Sequence, residues 1–460
     1  MSRFQAVVLA AGLGTRMRSK FPKVIHEICG KPMIAFVLDA LEAAGAERTF
    51  VVVGHLADLV KETVGTRATC VLQAEQKGTG HAVMQVEDAL LGYEGHIVVA
   101  AGDAVYLKEP DLNRLVKHHM STKASATVLS SIPKDPSGYG RVAREASGKI
   151  RRIIEEKDCS PKEALIKEVN SSVYCFEKHH LFDALSRLTP NNIQGEYYLT
   201  DVIEIMINEG LRVEVVTSEN PLTAQGINTR VQLAEAERIY RSEIRERLML
   251  SGVTMVDPET VFVDFDVTIG KDTKILPFSI IQGRTTVGED CIIGPFVRIC
   301  NSKISNRSSL NNAVVIEAKV GDNVYVGPYA YLRKGTVLAE STKIGTFVEV
   351  KESIVGKNSK VPHQTYLGDA TVGEDVNIGA GTITCNYDGY YKHPTIIRDK
   401  VFIGSNANLV APVEIGKGSY IAAGSTITED VPENALGVAR GKQRNIRDWA
   451  VKQHKKGAGK

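Results

Sequence analysis

From Val263 to Ile427 an aliphatic residue recurs at every sixth position with few slips. Val263, Ile269, Ile275, Ile281, Val287, Ile293 and Ile299 form one register; Val320, Val326, Leu332, Leu338, Ile344 and Val350 form a second; Ile397, Ile403, Leu409, Ile415, Ile421 and Ile427 form a third. A period of six matches neither an amphipathic helix, at about 3.6, nor the simple alternation of a half-buried strand. It predicts a parallel β-helix of hexapeptide turns, each unit one short side of a coil with its aliphatic residue inward and three units closing a triangle. Glycine repeatedly follows the aliphatic position (Gly270, Gly288, Gly294, Gly321, Gly327, Gly345, Gly404, Gly416), which predicts tight corners. Small or β-branched residues four places on (Thr273, Ser279, Thr285, Val297, Ala330, Thr336, Ala407, Ser425) predict a narrow interior. The coils would stack at about 4.8 Å.

Upstream the pattern changes to strands alternating with helices. Phe4–Ala10 predicts a buried parallel strand, followed by a glycine-rich turn and a helix over Pro32–Ala44. Thr49–Gly54, Ala68–Gln73 and His96–Ala101 predict further central strands, with helices over Leu56–Thr63 and Thr79–Leu91. Such alternation means a doubly wound, Rossmann-like sheet with its ligand crevice at the carboxyl ends of the strands. Asn228–Ser251, free of Gly and Pro, predicts one long helix. The expected organisation is α/β plus all-β: a nucleotide-binding domain over 1–228, a linker helix over 229–251, a β-helix over 252–437 and a less regular tail over 438–460.

Composition narrows the classes. A chain of 460 residues, 43% hydrophobic and 24% charged, buries a sizeable core and accommodates two or three domains. A net charge of +2 with mixed signs points to neither nucleic acid nor a membrane surface as partner. The locally basic tail (Lys452, Lys455, Lys456, Lys460) reads as a solvated, frayed end. The apolar run Ala6–Ala11 is too short for a signal-peptide core, and no stretch approaches a membrane span, so a cytoplasmic protein is expected. Seven cysteines without a C-x-x-C spacing argue against a disulfide framework and a zinc site.

The first strand ends in Leu9-Ala10-Ala11-Gly12-Leu13-Gly14-Thr15-Arg16-Met17, with Pro22-Lys23 close behind. Small residues let backbone N–H groups approach phosphate oxygens. Arg16 and Lys23 supply fixed cations where charge develops on a transferring phosphoryl group. The turn lacks the G-K-[ST] of a Walker A loop and the third glycine of a dinucleotide fingerprint. It resembles the sugar-phosphate nucleotidyltransferases, whose mark is L-A-A-G-x-G-T-R-M followed by P-K. That resemblance implies that Leu9, Ala10, Ala11, Gly12, Gly14 and Lys23 hold a nucleoside triphosphate.

Further matches follow in the same order. Gln73-Ala74-Glu75-Gln76-Lys77-Gly78-Thr79 offers two amides and a Gly-Thr turn, donors and acceptors able to read a pyrimidine edge. In the uridylyltransferases it is similar to, Gln73, Gln76, Gly78 and Thr79 hold uracil. Asp103 ends a predicted strand where a carboxylate can hold Mg²⁺, and by resemblance it shares the metal with Asn228. The family usually has proline two residues after this Asp, whereas Ala104-Val105-Tyr106 follows here. Gly140, Glu155 and Asn170 resemble the set that binds N-acetylglucosamine 1-phosphate.

The hexads break between Ile378 and Ile397, where Thr384–Pro394 forms a polar, aromatic loop. Loops on rigid scaffolds are where function concentrates. His363, two residues after an inward aliphatic, lies on a flat face, where an imidazole can take a proton from an attacking amine. Arg333, Lys351 and Lys392 add cations suited to a sugar phosphate. Hexapeptide acyltransferases share this arrangement.

Over residues 3 to about 443 the chain resembles the bacterial family that joins an N-acetylglucosamine-1-phosphate uridylyltransferase to a glucosamine-1-phosphate N-acetyltransferase. The resemblance implies a left-handed β-helix, His363 as the base, and Arg333, Lys351, Tyr366, Asn377, Asn386 and Lys392 on the amino sugar phosphate. Ala380, Asn386, Tyr387, Ser405, Ala423 and Arg440 would line acetyl-CoA. It also implies a homotrimer packed through the β-helices, and UDP-N-acetylglucosamine, a precursor of peptidoglycan, as product. Two rivals remain: a nucleotidyltransferase whose β-helix only regulates, and a scaffold with decayed sites. His363 and the Asn386 loop speak against the first, and the retention of Arg16, Lys23, Asp103 and Asn228 against the second.

Overall fold

Strand β1 (Phe4–Ala10) is buried along nearly its whole length, as a continuous apolar run between two layers of helix requires. It pairs in parallel with β2 (Ala46–Val53) on one side and β4 (His96–Ala101) on the other, in a computed structural model describing residues 3–457. Beyond β2 lies β3 (Thr69–Leu72). Beyond β4 the sheet continues through β8 (Val169–Glu177), β5 (Ala126–Ser131) and β9 (Val213–Thr217), with β8 antiparallel to both its neighbours. A hairpin of β6 (Arg141–Arg144) and β7 (Ile150–Ile154) hangs from β8. The strand order reverses between β1 and β4, so their carboxyl ends open a crevice carrying the Ala10–Gly14 turn and Asp103.

Helices α1 (Met33–Ala43) and α2 (Ala57–Val64) lie where the apolar spacing places them. The helix expected over Thr79–Leu91 is shorter: α3 covers Thr79–Met84, and only a 3-10 turn follows at Asp88–Leu90. After Met84 the backbone bonds tighten from four to three residues back, from Gln85 N to Ala82 O through Glu87 N to Met84 O. The long helix α4 (Arg230–Leu250) is continuous. The chain divides into two units after Tyr240, within that helix.

Short strands stacked in parallel make the second unit. Phe262 pairs with Ile280 and Thr268 with Thr286, so each coil takes eighteen residues, three hexads. Every residue of the three sixfold registers is buried, and so are the eight small residues four places on. Between the registers the coil shortens, Lys303 pairing with Lys319, and Ile304, Leu310 and Val315 fill the interior.

Six of the eight glycines have a different role from the one expected. At Gly270 a Cβ would stand 2.7 Å from Gly288 C, and at Gly379 2.6 Å from Ser405 N. They permit stacking of successive coils, and the left-handed residues that turn the chain lie three places after the aliphatic, such as Asp272, Phe278, Asp290 and Phe296; Gly294 and Gly327, at φ of 105° and 110°, are the two of the eight that also carry a positive φ. The tail also differs: Trp449–Gly457 forms a helix rather than irregular chain, and Lys452 is exposed on it. Lys460 and the side chains of Lys455 and Lys456 lie outside the described residues.

Candidate active sites

The crevice of the first unit is a cavity of about 780 Å³. Its floor is the turn after β1, where Gly12 faces open space and Gly14 adopts a left-handed φ of 60° with its Cα against Lys23. Only a 3-10 turn, Thr15–Met17, follows, so the expected amide cluster is a single turn. Lys23 Nζ lies 2.5 Å from Asp103 Oδ2 and 3.0 Å from Asn228 Oδ1, which also accepts from Arg16 at 2.9 Å. Gly226 makes room for this, because a Cβ there would lie 2.8 Å from Asp103 Oδ2. Two hard oxygens thus converge on one cation position, a donor set that fits Mg²⁺ with its remaining ligands from water and phosphate.

Gln73, Gln76, Gly78 and Thr79 line the same cavity. Gly78 has a φ of 111° and packs on the backbone of Tyr197, to which Gly80 N donates. Thr79 Oγ1 accepts from Leu199 N at 3.0 Å, so the segments 77–80 and 197–199 are stitched into one wall.

Glu155 and Asn170 line the same cavity, with Gly140 directly behind Glu155. Burial raises the Glu155 carboxyl above its ordinary value, opposed by a bond from Thr200 Oγ1 at 3.1 Å. Asn170 sits on a bulge in β8 where the pairing shifts before Val173. Its Oδ1 accepts from Ser172 N at 3.1 Å and its Nδ2 donates to Tyr174 OH at 2.6 Å. Tyr174 and Thr200 line the cavity and were not singled out from sequence. A strand bulge has no composition signal, which hid the first.

Ala104-Val105-Tyr106, the departure from the nucleotidyltransferase pattern, is fully buried. Tyr106 stacks on Tyr240 at 5.8 Å, and Tyr240 donates to Val105 O at 2.6 Å. The segment therefore packs inward while Asp103 faces the cavity.

On the β-helix two surfaces emerge from the register. Arg333 and Lys351 occupy equivalent places on successive coils, the next place being Gly368. A Cβ at Gly368 would meet Asn386 Nδ2 at 2.7 Å and collide with Tyr366 OH, so its absence admits both side chains. Lys392, brought back by the protruding loop, lies beside Lys351 and, together with Arg333, pulls that ammonium below its ordinary value. Asn386 is buried against Asp369, and His393 Nε2 and two backbone N–H groups hold Asp388, fixing the loop. Tyr387 is exposed there.

The second surface is a column. Thr346 pairs with His363, and the ladders on either side carry the same place to Ala380, Ser405 and Ala423 on three further coils. Arg440 caps it, donating to Ala423 O at 2.8 Å. At about 4.8 Å per coil the column spans ~14 Å beyond His363. His363 is exposed next to Gln364, whose left-handed φ of 39° turns the corner, and Asn377 is half-buried. One chain thus gathers Arg333, Lys351, Tyr366, Asn386 and Lys392 together, and separately aligns His363 with Ala380, Ser405, Ala423 and Arg440.

A phosphate-turn α/β unit followed by a hexapeptide prism defines a two-domain transferase. The sequence profile of the nucleotidyl transferase family matches residues 5–220, and that of the bacterial transferase hexapeptide (six repeats) matches 266–301 and 394–429. The bifunctional protein GlmU of Heliobacterium modesticaldum is 49% identical over 455 residues, 99% of each chain. That of Caldanaerobacter subterraneus subsp. tengcongensis is 49% identical over 457 residues, 99% of this chain and 100% of its own. That of Halalkalibacterium halodurans is 46% identical, with 99% and 100% covered. The chain belongs to the bifunctional GlmU family and is a bifunctional transferase. Among the described residues no helix is long and apolar enough to cross a membrane.

Proposed function

We propose that this chain makes UDP-N-acetylglucosamine in two steps, acetylating glucosamine 1-phosphate on the β-helix and uridylylating the product in the α/β unit. The convergence of Lys23, Asp103 and Asn228 on one cation position carries the reading of the second step. There the phosphate oxygen of N-acetylglucosamine 1-phosphate attacks the α-phosphorus of UTP and pyrophosphate leaves. Arg16 and Lys23 neutralise charge on the phosphates, and Glu155, Asn170 and Gly140 hold the sugar. Gln73, Gln76, Gly78 and Thr79 meet the uracil. Asp103 and Asn228 hold Mg²⁺, which supplies charge neutralisation when bound. Positioning and electrostatics suffice for such a transfer.

In the first step the amine of glucosamine 1-phosphate attacks the thioester carbonyl of acetyl-CoA, His363 takes the amine proton, and the CoA thiol leaves. Arg333, Lys351 and Lys392 grip the phosphate, with Tyr366, Asn377 and Asn386 around the sugar. Ala380, Ser405, Ala423, Arg440 and the Asn386-Tyr387 pair form the acetyl-CoA track, since small residues in a column admit a long cofactor against the backbone.

The β-helices pack as a homotrimer in this reading. Phe278, Phe296, Tyr329 and Phe347 are more than half exposed along one corner, stacked in pairs at 5.1 and 5.3 Å, and the next corner residue is Gln364 beside His363. An apolar edge leading to the proposed base is what neighbouring copies would cover. The protein acts in the cytoplasm, on small-molecule substrates, and its product supplies peptidoglycan and cell-wall synthesis.

The test is a paired assay on wild type and His363→Ala. CoA thiol release is followed with acetyl-CoA and glucosamine 1-phosphate, and pyrophosphate release with UTP, Mg²⁺ and N-acetylglucosamine 1-phosphate. Wild type should do both, and the variant should lose thiol release alone. Pyrophosphate without thiol in wild type would make the prism regulatory and remove half of the proposal.

A further inference from the structure

The amide of Gln73 is oriented by two acceptors. Its Nε2 donates to Gly78 O at 3.2 Å and lies 3.0 Å from His81 Nδ1. A carbonyl oxygen only accepts, so the Gly78 contact identifies the amide nitrogen independently of the imidazole. Nδ1 of His81 is then the acceptor, and the ring carries its proton on Nε2. The amide of Gln85 gives its bond to His81 O at 3.1 Å and stands 3.3 Å from that nitrogen, the longer of the two ring contacts.

Both N–H groups of Gln73 are thereby consumed. The residue is only 3% exposed, it lines the cavity, and no described residue donates to its Oε1. What Gln73 has left for a ligand is an acceptor.

We infer that His81 is a positioning residue that makes the site select uracil over cytosine, by holding Gln73 so that it offers the base an acceptor only. The inference rests on the proposed uridylyl transfer, in which Gln73 meets the base. Uracil presents a donor at N3, whereas cytosine presents a lone pair there. An acceptor-only Gln73 bonds the first and faces the second unpaired, and a buried polar group left unpaired is costly. A site built to bond a group discriminates strongly against an analogue that lacks it. Without His81, Gly78 O would still take one N–H of Gln73, but the other would be free to donate to a lone pair of the base, so the acceptor-only presentation resides in His81.

The experiment measures kcat/KM of the full-length protein with UTP and with CTP for wild type, His81→Phe and His81→Asn. The Asn carbonyl takes the place of Nδ1 as acceptor, whereas Phe keeps the ring and offers none. The Phe variant should lower the UTP-to-CTP ratio by about tenfold or more, and Asn should restore most of it. Loss of packing alone would depress both nucleotides together and leave the ratio in place. Should the Phe variant fail to fold, judged by thermal melting and by its acetyl transfer, His81→Ala gives the same comparison. An unchanged ratio in the variants, with UTP preferred by wild type, overturns the inference alone. A wild type that uses neither nucleotide overturns the uridylyl reading beneath it.

Discussion

Lys23 and Asp103 are bound to each other, the ammonium 2.5 Å from Oδ2, and the same nitrogen reaches Asn228 Oδ1 at 3.0 Å. A lysine therefore stands on the point where the two oxygens would hold a divalent ion. Lys23→Ala should tighten Mg²⁺ binding in the absence of nucleotide while lowering pyrophosphate release by about 100-fold or more. Calorimetric metal titration and the pyrophosphate assay read the two effects, with thiol release as the control.

Chelation separates the two steps. In the proposed scheme only the phosphoryl transfer uses the oxygens of Asp103 and Asn228 with a metal. An excess of chelator should abolish pyrophosphate release and leave thiol release from acetyl-CoA in place. Loss of both in parallel would refute the assignment of the metal to one site.

Tyr174 orients Asn170, its phenol oxygen accepting the amide at 2.6 Å. Tyr174→Phe removes that acceptor without changing the ring. We expect KM for N-acetylglucosamine 1-phosphate to rise about fivefold, the equivalent of one lost hydrogen bond, with KM for UTP unchanged. Combined with Asn170→Ala the effects should not add, because the two residues act as a unit.

Lys351 and Lys392 are two cations side by side near Arg333, a charge arrangement relieved by an anion. Lys351→Ala should raise KM for glucosamine 1-phosphate and flatten its dependence on salt. Because Lys392 depresses the Lys351 ammonium, that group deprotonates first as pH rises, so the wild-type KM should climb on the alkaline side before that of Lys351→Ala.

His119 is fully buried, bonded through Nδ1 to Thr127 Oγ1 at 2.9 Å and packed edge-on against His96. Burial, with help from His96 and His118, lowers its pKa to about 4. The unfolded chain takes up this proton near pH 6.5 and the folded one only near 4, so the neutral ring contributes stability at pH 7 that is lost on acidification between those values. Between pH 6.5 and 5 the loss from this residue is on the order of 2 kcal/mol. Thermal melting against pH should show a shallower slope for His119→Asn than for wild type.

The phosphate turn and Asp103 were legible because each follows a strand whose apolar run is unmistakable, and topology then brings their loops together. The inward residues of the prism were legible because one side chain in six repeats the same environment. Three things were not. The break in the helix after Met84 is a choice between three- and four-residue bonds that apolar spacing does not record. The glycines after the aliphatic positions have two explanations in sequence, tight turning or close stacking, and only the folded chain assigns them, with close stacking at Gly270 against Gly288 and a positive φ at Gly294 and Gly327. The pairing of Asn170 with Tyr174 depends on a bulge, a local insertion that leaves no mark in composition.

By itself the sequence determined that there are two kinds of domain, where each begins its chemistry, and which side chains carry charge or a proton. Those are properties of local order: period, composition and short motifs. Tertiary structure decided which residues become neighbours across coils and strands. His363 shares a column with Ala380, Ser405 and Ala423 only because coil lengths of seventeen, twenty-five and eighteen residues accumulate to that register. Gln73 points an acceptor into its cavity only because Gly78 and His81 both take its protons. Hydrogen-bond direction and accumulated offset belong to the folded chain, since each depends on partners that no single segment contains.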